Sequence, residues 1–143
     1  MKNVLILCTG NSCRSLMAEA MINHFLGSNW MAYSAGTQPS EVNPLARKVL
    51  EELGIDTSNL RSKSVTEFLG RDDLDLVITV CDNAKESCPV FPRPVKRIHI
   101  GIDDPAPFTD QAENVALPIF RQALEQVRML VLAYLESYGD NPI

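Results

Sequence analysis

Apolar residues fall along this chain in two rhythms that alternate. Val4-Leu5-Ile6-Leu7 and Leu76-Val77-Ile78-Thr79-Val80 are short continuous apolar runs, as expected of parallel strands covered on both faces. Val95-Lys96-Arg97-Ile98-His99-Ile100 alternates, which suits a strand nearer the sheet edge with one wet face. Met31 to Ala35 is a shorter, more polar fourth candidate. Helical spacing lies between these runs. Arg14 to Leu26 places Met17, Ala20, Met21, His24 and Phe25 on one side of a helix. Pro44 opens a helix that runs to Leu53 and is stopped by Gly54, and Val65 to Gly70 reads as one or two further turns. The last helix carries Phe120, Leu124, Val127, Val131 and Tyr134 at spacings of three and four. Pro118 belongs at or near its start, because an internal proline breaks the ladder, and Ser137-Tyr138-Gly139 closes it.

Strands alternating with helices predict an α/β fold with right-handed crossovers. The expected sheet is four-stranded and parallel, in the order 2-1-3-4, with the two apolar strands side by side in the middle and helices flanking. No repeat, low-complexity tract or linker divides residues 1–143, which read as a single domain. The N-terminal apolar run is cut off by Thr9-Gly10-Asn11-Ser12 too early for a signal peptide, and no run approaches a membrane span. The expected location is therefore the cytoplasm, with no membrane partner. In that reducing compartment the four cysteines point to catalysis, metal binding or packing rather than permanent disulfides. A net charge of −5 with no basic stretch argues against nucleic-acid binding. An anionic substrate would need a local device to attract it. Nothing in the pattern demands a dimer, and a monomer is expected.

Such a device is present in Cys8-Thr9-Gly10-Asn11-Ser12-Cys13-Arg14-Ser15, between the first strand and the first helix. That position is the carboxyl edge of the sheet, where open α/β folds bind ligands. Five residues between Cys8 and Arg14 let the backbone curl until its N–H groups converge on one tetrahedral anion. Gly10 and Asn11 tolerate the positive φ such a nest requires. The helix beginning near Arg14 adds its positive dipole end, and the Arg14 fork can grip two oxygens. Thr9, Gly10, Asn11, Ser12, Cys13 and Arg14 thus form the expected oxyanion site. The same surroundings favour the thiolate of Cys8, to which Ser15 is placed to donate a hydrogen bond. A thiolate at the floor of an oxyanion cradle points to nucleophilic attack on phosphorus or arsenic. The nucleotide-binding loop is excluded, since its Gly-Lys-Ser/Thr ending is absent. A tight strand–helix turn around an inert, buried Cys8 is the bland alternative.

The segment from Cys8 to Ser15 resembles the catalytic loop of the low-molecular-weight protein tyrosine phosphatase superfamily. Together with Met17-Ala18-Glu19-Ala20 it is similar to the thioredoxin-coupled arsenate reductases of that superfamily, and the likeness of order and motifs spans essentially the whole chain. The resemblance implies an oxidoreductase of arsenical resistance that reduces arsenate to arsenite. It implies thioredoxin as partner, no tightly bound cofactor, and phosphate or sulfate as competing anions.

It also gives a role to Cys81 and Cys88, which flank six residues after the third strand. With strands one and three adjacent, Cys8 and Cys81 share the carboxyl edge on strands about 4.8 Å apart. A thiolate of Cys81 can displace reduced arsenic from the Cys8 sulfur, and Cys88 can then take Cys81 into an accessible disulfide. Thioredoxin, at about −270 mV, suits the reduction of that bridge. In the resembled reductases, cysteines in this arrangement carry these relay roles. A four-cysteine zinc site and simple packing of Cys81 and Cys88 compete with this reading, although neither spacing is the usual Cys-x2-Cys of zinc. Cys13 is expected to matter through its backbone rather than its thiol.

Asp103-Asp104-Pro105 follows the fourth strand and reaches the same edge, where a carboxylic acid can protonate a leaving oxygen. The resemblance selects Asp104, immediately before the proline; an ordinary Asx-Pro turn is the alternative, and Asp103 is expected to be solvent-facing or structural. Ala106-Pro107-Phe108-Thr109 lacks the paired aromatics with which the tyrosine phosphatases stack on a phenol ring. A phosphatase using Cys8, Arg14 and Asp104 is the alternative function. Some resembled reductases bind potassium at positions matching Asn11, Glu19 and Ser34 and an Asp, but Lys63 stands where that Asp would be. Its ammonium either replaces the ion or is simply solvated, the default for a single lysine. His24 and His99 show no partner spacing and are expected to be structural.

Overall fold

The chain is described by a computed structural model over residues 1–81, 91 and 95–138. In order, it forms β1 (Lys2–Cys8), α1 (Arg14–Phe25), β2 (Trp30–Gly36), α2 (Pro44–Glu52) and a 3₁₀ turn at Val65–Phe68. Then come β3 (Leu76–Thr79), β4 (Lys96–His99), a 3₁₀ turn at Ala106–Phe108 and α3 (Glu113–Gln126). A π-helical stretch, Val127–Leu132, joins α3 to α4 (Ala133–Tyr138). The strands form one parallel sheet in the order β2-β1-β3-β4, as expected. Every residue from Val4 to Leu7 is fully buried, and β3 is buried throughout, because both strands have a neighbour on each side and cover on each face. At the edge, β4 exposes Lys96 and Arg97. Among the described residues, no helix is long and apolar enough to cross a membrane.

Local signals hold at α2, where Asn43 caps the first turn by accepting from the Leu45 and Ala46 N–H groups. Pro44 is the first helical residue, and Gly54 takes φ +79° just past the end. Two helix expectations fail. In α1, His24 and Phe25 are exposed, whereas Leu16, Ala18 and Ile22 are buried beside Met17, Ala20 and Met21. This helix lies against β1 and β2 and also meets α2, α3 and the π-helical stretch. Most of its circumference is therefore covered near its start, and one-sided periodicity cannot describe it. Pro118 lies inside α3 instead of opening it. The helix begins at Glu113, and burial of Ala116 and Leu117 anchors its first turns, offsetting the backbone bond that proline cannot donate. The far end is at Tyr138; Gly139 lies outside the described residues.

Parallel strands bring their carboxyl ends to one edge. Cys8 pairs with Gly36, and Leu7 with Thr79, which in turn pairs with His99. Loops leaving those four ends build the site.

Candidate active site

The loop after β1 is shaped from outside, through its carbonyls. Cys8 O accepts from Thr37 N–H (3.2 Å), Thr9 O from Gln38 N–H (2.9 Å), Gly10 O from Ser40 N–H (2.9 Å) and Ser12 O from Asn43 N–H (3.0 Å). Ser62 Oγ donates a second bond to Gly10 O at 3.0 Å. With its carbonyls engaged on the outer side, the loop turns the Asn11 N–H inward, where it donates to Cys8 Sγ at 3.2 Å. Asn11 takes φ +47°, the one positive φ among the described non-glycine residues. Gly10 does not share it. Glycine there serves close approach, since a Cβ would lie 3.2 Å from Ser40 Oγ. Gly36 is under tighter constraint: a Cβ would meet Thr9 O at 2.5 Å and Asn11 N at 3.0 Å. Ser40, Ser62, Asn43 and Gly36 carry no motif of their own, and the sequence reading missed them.

Beneath the loop a buried chain of polar groups ends at sulfur. Lys63 N–H donates to Asn11 Oδ1 (2.8 Å), which fixes the Asn11 amide so that Nδ2 donates to Ser15 Oγ (2.7 Å). Ser15 Oγ lies 2.8 Å from Cys8 Sγ. Because Ser15 already accepts from Asn11, its own proton is left for the sulfur. No side chain caps the start of α1, so its first-turn N–H groups face the loop without a competing side-chain acceptor.

Arg14, the first residue of α1, extends over the mouth with Nη1 3.4 Å from Ile102 O and Nη2 3.4 Å from Asp104 Oδ2. The Arg14 side chain is 15% exposed and that of Asp104 41%, so the acid stands at the rim and the guanidinium lies within. Asp103 faces solvent as expected, bridged to Gln126. Cys81 is buried just beyond β3, and its Sγ lies 3.2 Å from Thr9 Oγ1. The second sulfur thus meets the residue next to the first. Cys88 lies outside the described residues. Cys13 is buried among core residues, and that burial pushes its thiol up to about 12, well away from nucleophilic use.

Lys63 departs from the solvated default. Only 8% exposed, it sets Nζ 2.9 Å from Arg61 O and 3.4 Å from both Glu19 Oε1 and Ser34 Oγ, while Ser34 Oγ donates to Glu19 Oε1 at 2.7 Å. The ammonium occupies the space between the oxygens that a monovalent cation would need, so the residues present do not fit a bound potassium. Among the described residues, no cluster of three or more His, Cys, Asp or Glu side chains is arranged to hold a metal ion. His99 bonds Thr79 Oγ1 through Nδ1 (2.8 Å), and His24 stacks edge-on with Phe25.

Comparison with known proteins adds an independent line. Arsenate reductase 1 of Bacillus cereus is 46% identical over 136 residues, covering 95% of this chain and 96% of that one. The low-molecular-weight protein tyrosine phosphatase of T. tengcongensis superposes with a TM-score of 0.69 at 30% identity, covering 90% of this chain and 96% of its own. A thioredoxin-dependent arsenate reductase of Corynebacterium glutamicum gives 0.63 at 27% identity, covering 90% of this chain and 59% of that one. The family model of the low molecular weight phosphotyrosine protein phosphatases matches residues 3–139. With a Cys-x5-Arg loop, a sheet order and a chain-long match all in agreement, this chain belongs to that family, on the side where its arsenate reductases lie.

Proposed function

We propose that this chain reduces arsenate to arsenite through a three-cysteine relay regenerated by thioredoxin. Arsenate binds in the loop of Thr9, Gly10, Asn11, Ser12, Cys13 and Arg14, where inward N–H groups and a guanidinium offset its charge. Phosphate and sulfate, being tetrahedral anions, compete there. Cys8 sulfur attacks arsenic, and an oxygen leaves as water after taking a proton from Asp104. The Cys81 thiolate then attacks Cys8 sulfur. An S–S bond forms, the S–As bond breaks, and its electron pair stays on arsenic, which departs as arsenite. Cys88 attacks Cys81 and returns Cys8 as thiolate, leaving a Cys81–Cys88 disulfide for the dithiol of thioredoxin to reduce.

The observation that carries this reading is the pair of sulfurs on either side of Thr9, one bonded by Ser15 and Asn11 and the other by Thr9 itself. A phosphatase resolves its intermediate with water and needs no second thiol there. The role of Cys88 rests on its spacing and on the likeness to arsenate reductases. The test is arsenate-dependent NADPH oxidation with thioredoxin and its reductase. Turnover in the wild type, lost in both Cys81→Ser and Cys88→Ser, is the expected outcome. Absence of turnover, with aryl phosphate hydrolysis untouched by either substitution, would establish the phosphatase instead.

Lys63 acts in place of a bound monovalent cation, tying Glu19 and Ser34 to the backbone that orients Asn11. Turnover is therefore expected to be the same in sodium and potassium chloride, and Lys63→Asp to make it potassium-dependent. A wild-type rate several-fold higher in potassium would remove this role from Lys63.

A further inference from the structure

The segment Ile102–Thr109, which carries Asp104, is anchored at its start by the buried Ile102, whose N–H donates to Val80 O at 3.0 Å. A cavity of about 330 Å³, lined by Asp103, Asp104, Phe108, Ile119 and Gln126 among others, opens between its exposed part and α3. Side-chain hydrogen bonds from other elements hold the rest of it. At one end, Gln126 Oε1 accepts from Asp103 N–H (2.9 Å) while its Nε2 donates to Asp103 Oδ2 (2.8 Å). That pairing needs an acceptor and a donor on one planar group, and a primary amide supplies both. At the other end, Asn43 Nδ2 donates to Thr109 Oγ1 (2.9 Å), whose own proton goes to Ala106 O (2.7 Å). Asn43 meanwhile donates its backbone N–H to Ser12 O in the oxyanion loop. Between the two ties, Asp104 Oδ1 accepts from Ala106 N–H (3.0 Å) and Oδ2 faces Arg14.

We propose that Gln126 and Asn43 are positioning residues that hold the Ile102–Thr109 segment at its two ends, so that Asp104 meets the oxyanion bound over Cys8. The inference rests on Asp104 being the proton donor. An exposed carboxylate beside an open cavity would otherwise sample many positions, and a misplacement of about 1 Å can cost up to about a hundredfold in rate.

Single-turnover arsenite release from pre-reduced enzyme, without thioredoxin, tests the inference on Gln126→Met, Thr109→Val, Asp104→Asn and the Gln126→Met/Asp104→Asn double variant. Gln126→Met and Thr109→Val are each expected to lower the maximal rate about tenfold, with the arsenate half-saturation changed less than about twofold. Asp104→Asn should lose about a hundredfold, and the double variant should be no slower than Asp104→Asn alone. Gln126→Glu should be slow by itself and recover when Asp103→Asn supplies the donor that glutamate lacks. If the Gln126→Met penalty persists in full on the Asp104→Asn background, or appears as weaker arsenate binding, the inference is overturned while the acid role stands. Wild type that releases no arsenite, or Asp104→Asn at the wild-type rate, removes the acid reading and this inference with it. Should Gln126→Met fail to fold, Thr109→Val decides by the same criteria, with its own double variant with Asp104→Asn.

Discussion

In the loop from Cys8 to Arg14, four carbonyls accept hydrogen bonds from backbone N–H groups of residues 37–43, and the polar side chains of Asn11 and Ser15 are fully buried. Across the mouth, Ile102–Thr109 has one backbone bond to β3's end, from Ile102 N–H to Val80 O; beyond it, side chains reaching from other elements hold the segment, and its carboxylate Asp104 is 41% exposed. The difference suits the two tasks proposed for them. Charge stabilisation requires donors already aimed before the anion arrives, and backbone groups locked by other backbone groups cannot relax away. Proton delivery requires a group that reaches water as well as substrate, so its segment must stay at the surface and be tied there. One region therefore depends on where Cβ atoms fit, and the other on single polar side chains.

Gly36→Ala is the sharpest way to break the backbone-built half. Its Cβ would press on Thr9 O and Asn11 N, both backbone atoms that cannot swing aside, within the strand register that pairs Gly36 with Cys8. We expect a loss of about 3 kcal/mol in chemical denaturation, at the upper end for overpacking, together with loss of measurable arsenite release. Normal turnover would mean that the loop is softer than its bonding implies.

Cys13 probes the same half by pH. Burial raises its thiol from the ordinary 9.0 to about 12. Below 9.0 the group is protonated in both folded and unfolded chains and contributes no slope. Between the two values the unfolded chain releases a proton that the folded chain keeps, so stability falls as pH rises, by about 1.4 kcal/mol per unit. Urea unfolding of Cys13→Ala across that alkaline window should be shallower than wild type by this amount. Equal slopes would place water against the thiol. Alkylation at pH 8 should correspondingly spare Cys13.

The two halves also differed in how far the sequence disclosed them. Cys8 ends β1, and Arg14 and Ser15 begin the helix that follows the short loop, so chain connectivity alone brings them together. Sheet order was legible for a similar reason: the continuous apolar runs of Val4–Leu7 and Leu76–Val80 require neighbours on both sides. Gln126 and Asp103 lie 23 residues apart, and Asn43 and Thr109 lie 66 apart. Their pairing depends on how α2 and α3 dock, which no local pattern encodes. The solvated default for Lys63 failed for a related reason, since Glu19 from α1 and Ser34 from β2 converge on its ammonium beside Arg61 O of its own segment. Pro118 and the outer end of α1 failed because tertiary packing overrode a correct local rule.

The smallest expected effect separates two duties within one residue. Asn43 Oδ1 caps α2, and Nδ2 ties Thr109. Serine can cap equally well, but its hydroxyl is too short to reach across the mouth. Asn43→Ala should therefore cost about 1 kcal/mol of stability, and Asn43→Ser no more than a few tenths. If the tie to Thr109 matters, both variants should slow single-turnover arsenite release alike, despite their different stabilities. A serine variant as fast as wild type would assign the whole effect of Asn43 to the helix cap, leaving Gln126 as the side-chain tie proposed for the Asp104 segment.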